Sequence, residues 1–207
     1  MKVLLLNGSP NKFGCTYTAL SEVAKTLEEN GVETEIYHVG AAAMLDCTAC
    51  GKCRNLGGRC IFDDCVNEIL EKAEQSDGFV FGSPVYYAHP DGRILSVLDR
   101  AFYCGSKAFS HKPGAAVASA RRAGTTASID ALNKYFTINQ MPVVSSTYWN
   151  MVFGNKPEEV RRDIEGMQTM RNLGTNMAWL LKCIEAGKEK GINIPKAESG
   201  NHMNFIR

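Results

Sequence analysis

Lys2-Val3-Leu4-Leu5-Leu6-Asn7-Gly8-Ser9-Pro10-Asn11-Lys12-Phe13-Gly14-Cys15-Thr16 opens the chain, and how this stretch reads decides the fold. Its first part is a continuous apolar run of strand length, not an alternating one, so it predicts a strand buried on both faces. The run passes directly into small turn-forming residues and then into a helical pattern from Thr16 to Asn30, with Leu20, Val23, Ala24 and Leu27 on one face. Gly31 stands where a helix C-cap belongs, and Val32 to Val39 predicts a second, partly exposed strand.

The same alternation continues outward. Asp64 to Gln75 and Asp91 to Cys104 read as helices around a short apolar strand at Gly78 to Gly82, which ends in a Gly-Ser-Pro turn. Gly114 to Ser119 reads as a strand, Thr126 to Ile138 as a helix, and Val143 to Ser146 as the start of a fifth strand. Pro157 to Gly187 is helical, with Glu158 and Glu159 in its first turn as the helix dipole prefers. Gly166, Gly174 and Gly187 predict two helices or a break there. Strands separated by helices imply an α/β fold, a doubly wound five-stranded parallel sheet of order 2-1-3-4-5. The chain reads as one domain over 1–207, with a cysteine-rich insertion at about 44–63 and a polar C-terminal arm from about 193.

Composition narrows the function classes. Of 207 residues 44% are hydrophobic and 22% charged, and the net charge is +1, so neither nucleic acid nor an anionic membrane is an expected partner. The apolar runs fall far short of the ~20 residues that span a bilayer, and the opening run is short for a signal peptide. A cytoplasmic protein is expected. Eight cysteines, five of them between Cys47 and Cys65, then point to metal or redox chemistry and not to a disulfide framework.

In a doubly wound sheet ligands bind beyond the C-terminal strand ends at the switch point. The loop from Ser9 through Pro10, Asn11 and Gly14 to Cys15 and Thr16 has the chemistry of a phosphate cradle: small residues, hydroxyls and a helix N-terminus. Its glycine spacing is not that of a Walker loop, and no G-x-G-x-x-G is present. Cys15 reads as a small residue of this loop. The third strand delivers Pro84, Val85, Tyr86 and Tyr87, a flat apolar and aromatic rim beside the first loop. A planar heteroaromatic with one phosphate fits this pair of loops, which means FMN. The fourth strand adds Ser119, Arg121 and Gly124, which could border the flavin's pyrimidine edge; the arginines could equally meet the phosphates of NADPH. His89 and His111 are acid-base candidates by type only, so no catalytic residue is assigned. No G-x-S-x-G elbow supports a hydrolase.

Cys47, Cys50, Cys53 and Cys60 form C-x2-C-x2-C-x6-C. Three thiols at i, i+3 and i+6 suit a [4Fe–4S] cubane. Zinc, which draws on two separated pairs, comes second, and thiols without metal remain a third reading. Cys65, Cys104 and Cys183 fall on helical stretches as packing residues.

Gly-Ser-Pro in the first loop, Gly-Ser-Pro-Val-Tyr-Tyr in the third, the cysteine run, Asp63-Asp64 after it, and Gly166-Met167-Gln168-Thr169-Met170 resemble the NADPH-dependent FMN reductase superfamily. The likeness spans nearly the whole chain and is nearest to iron–sulfur flavoproteins and their flavodoxin-like relatives. It implies FMN held by Ser9 to Thr16, with ring contacts from Pro84 to Tyr87 and help from the loop after Ser119. It also implies a homodimer or homotetramer with the flavin near a subunit interface. Family members often carry Arg at the position of Asn11 and Asn or Ser at that of Cys15, so phosphate binding here leans on backbone and Lys12. The expected activity is an FMN-dependent oxidoreductase, taking hydride from NAD(P)H and reducing a quinone, flavin or other small-molecule or protein acceptor. A non-enzymatic flavin and iron–sulfur electron carrier, or a scaffold on the same fold, are the alternatives.

Overall fold

The protein is seen here as a computed structural model that describes residues 1–201 and 203. Five parallel strands make the sheet: β1 (Lys2–Asn7), β2 (Glu33–His38), β3 (Gly78–Tyr86), β5 (Gly114–Ala120) and β6 (Met151–Phe153). A two-residue strand, β4 (His89–Pro90), pairs antiparallel with the end of β3. The order is β2-β1-β3-β5-β6, which is the expected 2-1-3-4-5 once the hairpin strand is set aside. The helices are α1 (Cys15–Glu29), α2 (Cys65–Glu74), α3 (Gly92–Gly105), α4 (Thr125–Ile138), α5 (Pro157–Val160) and α6 (Ile164–Glu189).

Both faces of the sheet are covered, which explains the unbroken apolar run of β1. Leu4 and Leu6 pack with Phe79, Phe81, Ile94, Phe109 and Phe136 under α2, α3 and α4. Val3 and Leu5 pack with Leu20, Val23, Val80, Leu173 and Met177 under α1 and α6. Each such side chain contributes about 1.5–3 kcal/mol by leaving water.

Three expectations about the secondary-structure elements needed correction. The fifth strand does not run from Val143: that residue makes only an isolated bridge to Gly114, and the ladder resumes at Met151 opposite Ala118. The residues between are drawn to α6, whose Asn172 and Asn176 donate to Thr147 Oγ1 at 2.9 Å and Ser145 O at 2.8 Å. The long helical region does break, but before Gly166 and not at a glycine. Asp163 caps α6 by accepting from Gly166 N at 2.9 Å, and Gly174 lies inside the helix, where α1 packs too close to admit a side chain. A Cβ there would stand 2.8 Å from Thr26 Cβ. Finally, β3 does not turn at Gly-Ser-Pro; it continues to Tyr86, and the chain reverses at Tyr87 and Ala88, both left-handed at φ 50° and 60°, the geometry of a two-residue hairpin turn.

The expected arm has no regular structure from Ile192 to Asn201, and 202 and 204–207 lie outside the described residues. Cys183 is exposed on α6 and is not a packing residue. Among the described residues no helix is long and apolar enough to cross a membrane.

Candidate functional site

The first, third and fourth parallel strands end side by side. Asn7 pairs with Gly82, and Pro84 with Ser119, and Gly8 N donates to Gly82 O at 2.9 Å. The loop after β1 is shaped from within. Ser9 N donates to Asn7 Oδ1 at 3.2 Å, Asn11 N to Ser9 Oγ at 3.1 Å, and Asn7 Nδ2 to Lys12 O at 3.1 Å. His38, at the end of β2, bonds Ser9 O through Nε2 at 2.9 Å. Asn7 and His38 were not singled out in the sequence; they hold the loop and are not its lining.

What this framework leaves open is chemically specific. The amides of Lys12, Phe13, Cys15 and Thr16 have no acceptor among the described residues, and the N-cap Gly14 offers no side-chain cap. Unsatisfied N–H groups at a helix N-terminus are an anion site. Ser9 Oγ accepts from Asn11 and so keeps its own proton to give. Thr16 Oγ1 and Ser119 Oγ meet at 2.8 Å, both residues buried, which leaves one further hydroxyl proton to donate. This pair ties the first loop to the end of β5. Cys15 Sγ reaches Gly154 O at 3.6 Å, and burial holds its thiol above the ordinary range, as suits a packing residue in the loop. These residues fit a phosphate group.

Beside them, Val85 is half-buried, Tyr86 half-exposed and Tyr87 fully exposed. Gly124, the N-cap of α4 at φ +94°, locks the two remaining loops together: a Cβ there would stand 2.4 Å from Ala88 Cα and 2.9 Å from Val85 Cγ1. Arg121 and Arg122 are exposed just before it. Thus Ser9, Asn11, Gly14, Cys15, Thr16, Pro84, Val85, Ser119 and Gly124 lie at one end of the sheet, with Pro10 in the turn of the first loop and Tyr86, Tyr87 and Arg121 at its rim.

The cysteine-rich segment is built differently. It contains one short 3-10 turn, Lys52–Asn55, entered through left-handed Ala49 and Gly51. Cys47, Cys50, Cys53 and Cys60 line one cavity, together with Phe62, Arg100, Tyr103 and Cys104. Cys53 is buried, Cys60 half-buried, and Cys47 and Cys50 exposed. The Lys52 amide bonded to its sulfur draws the Cys50 thiol below the ordinary range, whereas burial, then the nearby Cys60 and Cys53 thiols, push Cys104 up to about 11. Cys104 is accordingly a neutral thiol, donating to Arg100 O at 2.7 Å. Asn67 of α2 clamps Cys60 reciprocally: Cys60 N donates to Asn67 Oδ1 at 2.9 Å, and Asn67 Nδ2 to Cys60 O at 3.0 Å.

Among the described residues no group of three or more His, Cys, Asp or Glu side chains is already arranged around a metal-ion position. The donor set is soft and thiophilic. The main residue missed in the sequence is Arg100. Its signal was there: an arginine one to six residues from Ile94, Val97, Leu98 and Ala101, all buried on α3.

Comparison with known proteins adds to this geometry. The family described as NADPH-dependent FMN reductase matches residues 1–156. An iron–sulfur flavoprotein of Methanocaldococcus jannaschii is 32% identical over 193 residues, covering 89% of this chain and all of that protein. Two solved structures share the fold. One, RosB with bound 8-demethyl-8-formylriboflavin-5'-phosphate, has a TM-score of 0.70 at 15% identity and covers 100% of this chain and 94% of that one. The other, a flavodoxin from the domain Archaea, has a TM-score of 0.61 at 14% identity, with coverages of 88% and 99%. The fold is flavodoxin-like.

Proposed function

The chain belongs to the NADPH-dependent FMN reductase family, and from that premise we propose that this FMN-dependent oxidoreductase takes hydride from NAD(P)H and passes electrons to a quinone, a flavin or another small-molecule or protein acceptor. The observation that carries the reading is the set of acceptor-free amides at Lys12, Phe13, Cys15 and Thr16, beside the buried Thr16–Ser119 hydroxyl pair. Bound FMN supplies the hydride chemistry at its N5.

The chain's residues bind and orient. The amides, the Ser9 hydroxyl and the α1 dipole hold the phosphate dianion. Pro84, Val85 and Tyr86 form an apolar bed for the ring, while Tyr87 stands out at the rim. Gly124 fixes the spacing between this bed and the end of β5. Arg121 is close in sequence to that end and carries the positive charge that favours a reduced, anionic ring or the phosphates of the nucleotide donor.

Cys47, Cys50, Cys53 and Cys60 are the ligand set of a second centre in this reading, a [4Fe–4S] cluster, supported by their common cavity and by the iron–sulfur relative. A homodimer or homotetramer, with the exposed Tyr86 and Tyr87 near the subunit contact, and a reducing cytoplasmic setting suited to eight free thiols complete the proposal.

Anaerobic purification, an absorbance spectrum and iron and sulfide analysis, followed by an NAD(P)H oxidation assay with a quinone, test it. A flavin band near ~450 nm, iron bound to the thiols and acceptor-dependent NAD(P)H oxidation are expected. Protein that neither carries nor takes up FMN would sink the reading. Flavin and iron without NAD(P)H oxidation would convert the enzyme into an electron carrier, a role that the thiol cavity would also serve.

A further inference from the structure

Arg100 lies on α3, 40 residues beyond Cys60, and is 2% exposed, the largest fully buried side chain among the described residues. A guanidinium has five N–H donors in a fixed planar fork, and every one is used. Nη1 and Nη2 donate to the two oxygens of Asp64 at 2.6 and 2.9 Å. Nη1 also donates to Leu45 O at 3.2 Å and, more weakly, to the thioether Sδ of Met44 at 3.6 Å. Nε and Nη2 both donate to Cys60 Sγ, at 3.3 and 3.2 Å. The Phe62 ring lies 5.0 Å from the guanidinium carbon. One side chain therefore grips both ends of the cysteine-rich segment, at Leu45 and Cys60, and also Asp64, which caps α2 by accepting from Val66 N at 3.1 Å.

Packing alone does not call for this arrangement. A buried arginine paired with one carboxylate would be satisfied by backbone carbonyls on its remaining donors, yet two of the five are spent on a single sulfur. Sulfur is a weak acceptor when it is a neutral thiol and a much better one when it carries metal-thiolate charge. Of the four candidate ligands, Cys60 alone accepts a pair of hydrogen bonds from a fixed cation. Cys47 and Cys50 are exposed.

We propose that Arg100 is a positioning residue for the thiol-held centre: by its two N–H bonds to Cys60 Sγ and its ion pair with Asp64 it fixes that ligand and raises the reduction potential of the centre. The proposal rests on the reading of Cys47, Cys50, Cys53 and Cys60 as an iron–sulfur site. The physical cause is charge: reduction adds an electron to the centre, and hydrogen bonds and a cation at a ligating sulfur stabilise the more negative state more strongly.

The test uses the reconstituted full chain with Arg100→Lys, which keeps the positive charge near Asp64 but loses the fork, and Arg100→Gln, which keeps donors without charge. Iron per chain and the midpoint potential are measured for each under anaerobic conditions. Both variants are expected to lower the potential, Arg100→Gln by at least the tenfold shift of a one-electron equilibrium that corresponds to ~59 mV, with Arg100→Lys between it and wild type. Hydrogen exchange on the metal-free chains should show faster exchange across residues 45–64 in both variants. Loaded variants whose potential equals wild type, even if they bind less iron, would reduce Arg100 to a packing residue and overturn the proposal. A wild-type chain that cannot be loaded with iron would overturn the thiol-site reading, and this proposal with it.

Discussion

The two candidate sites of this protein are constructed on opposite principles. The phosphate cradle is made of main chain: amides at the start of α1, held in place by bonds internal to the Asn7–Lys12 loop, at the ends of strands whose pairing is fixed. The thiol site is made of side chains on a segment with almost no regular structure, and it is hung from the body of the protein by Arg100 and Asn67. A cradle of backbone tolerates side-chain change as long as the turn survives, whereas a suspended segment depends on a few anchors. Substitutions should therefore separate the two sites, and the largest separation is expected at the anchor.

Arg100→Leu removes the buried cation, leaving the half-buried Asp64 carboxylate with Val66 N as its remaining partner and Leu45 O without its guanidinium donor. Breaking such a pair costs about 3 kcal/mol, read as a lower urea midpoint at unchanged m. Iron binding should fall with it, while FMN affinity stays within about twofold, because no bond of Arg100 reaches the strand ends. Equal losses of flavin and iron would show that the two sites form one cooperative unit and would end the contrast drawn here.

Gly124→Ala is the converse experiment. Its Cβ would meet Ala88 Cα at 2.4 Å, a backbone atom that cannot move aside without the hairpin, in a φ of +94°. Strain of about 2 kcal/mol should appear as a ~30-fold loss of FMN affinity, with iron content unaffected. A milder version is Thr16→Val, which orphans the buried Ser119 hydroxyl and costs about 1.4 kcal/mol, or tenfold in FMN affinity. Full FMN affinity in Thr16→Val would mean that the amides hold the phosphate unaided.

The same contrast governs what could be read from the sequence. The sheet, its order and the first loop were legible because each rests on local pattern: apolar runs for the strands, small residues before a helix start for the cradle. The thiols were legible by spacing, but their anchor was not, since Arg100 and Asn67 reach Cys60 from helices that the pattern identifies only as helices. The failures share that cause. Val143 has the composition of a strand start, yet Asn172 and Asn176 on α6 draw the following residues off the sheet. Gly174 has the composition of a break, yet it stands inside a helix where close contact with Thr26 of α1 leaves no room for a side chain. Serine and proline after Gly82 suggest a turn, yet Ser83 and Pro84 continue the ladder opposite Ala118 and Ser119. In each case a long-range contact overrides a local preference of at most about 1 kcal/mol.

The smallest expected effect comes from a charge cluster that belongs to neither site, and it sets the baseline for the others. Glu35 on β2 bonds Lys2 of β1 at 2.8 Å and Lys72 of α2 at 2.7 Å, and these two ammonium groups hold its carboxyl below the ordinary range. All three side chains are partly solvated, so the cluster contributes under about 1 kcal/mol. A carboxyl depressed in the folded state stabilises the protein above its unfolded value of ~4.3, and that contribution is lost as pH falls through the lower folded value. Glu35→Gln should therefore lower stability by about 0.5 kcal/mol at pH 7, and the gap to wild type should close below about pH 4. Half-molar salt should shrink it at pH 7 as well. Iron content and FMN affinity should both stay at wild-type levels. If Glu35→Gln instead shed iron as Arg100→Leu does, the cysteine-rich segment would be held through α2 as a whole, and the specific grip of Arg100 on Cys60 would lose its claim to be the anchor.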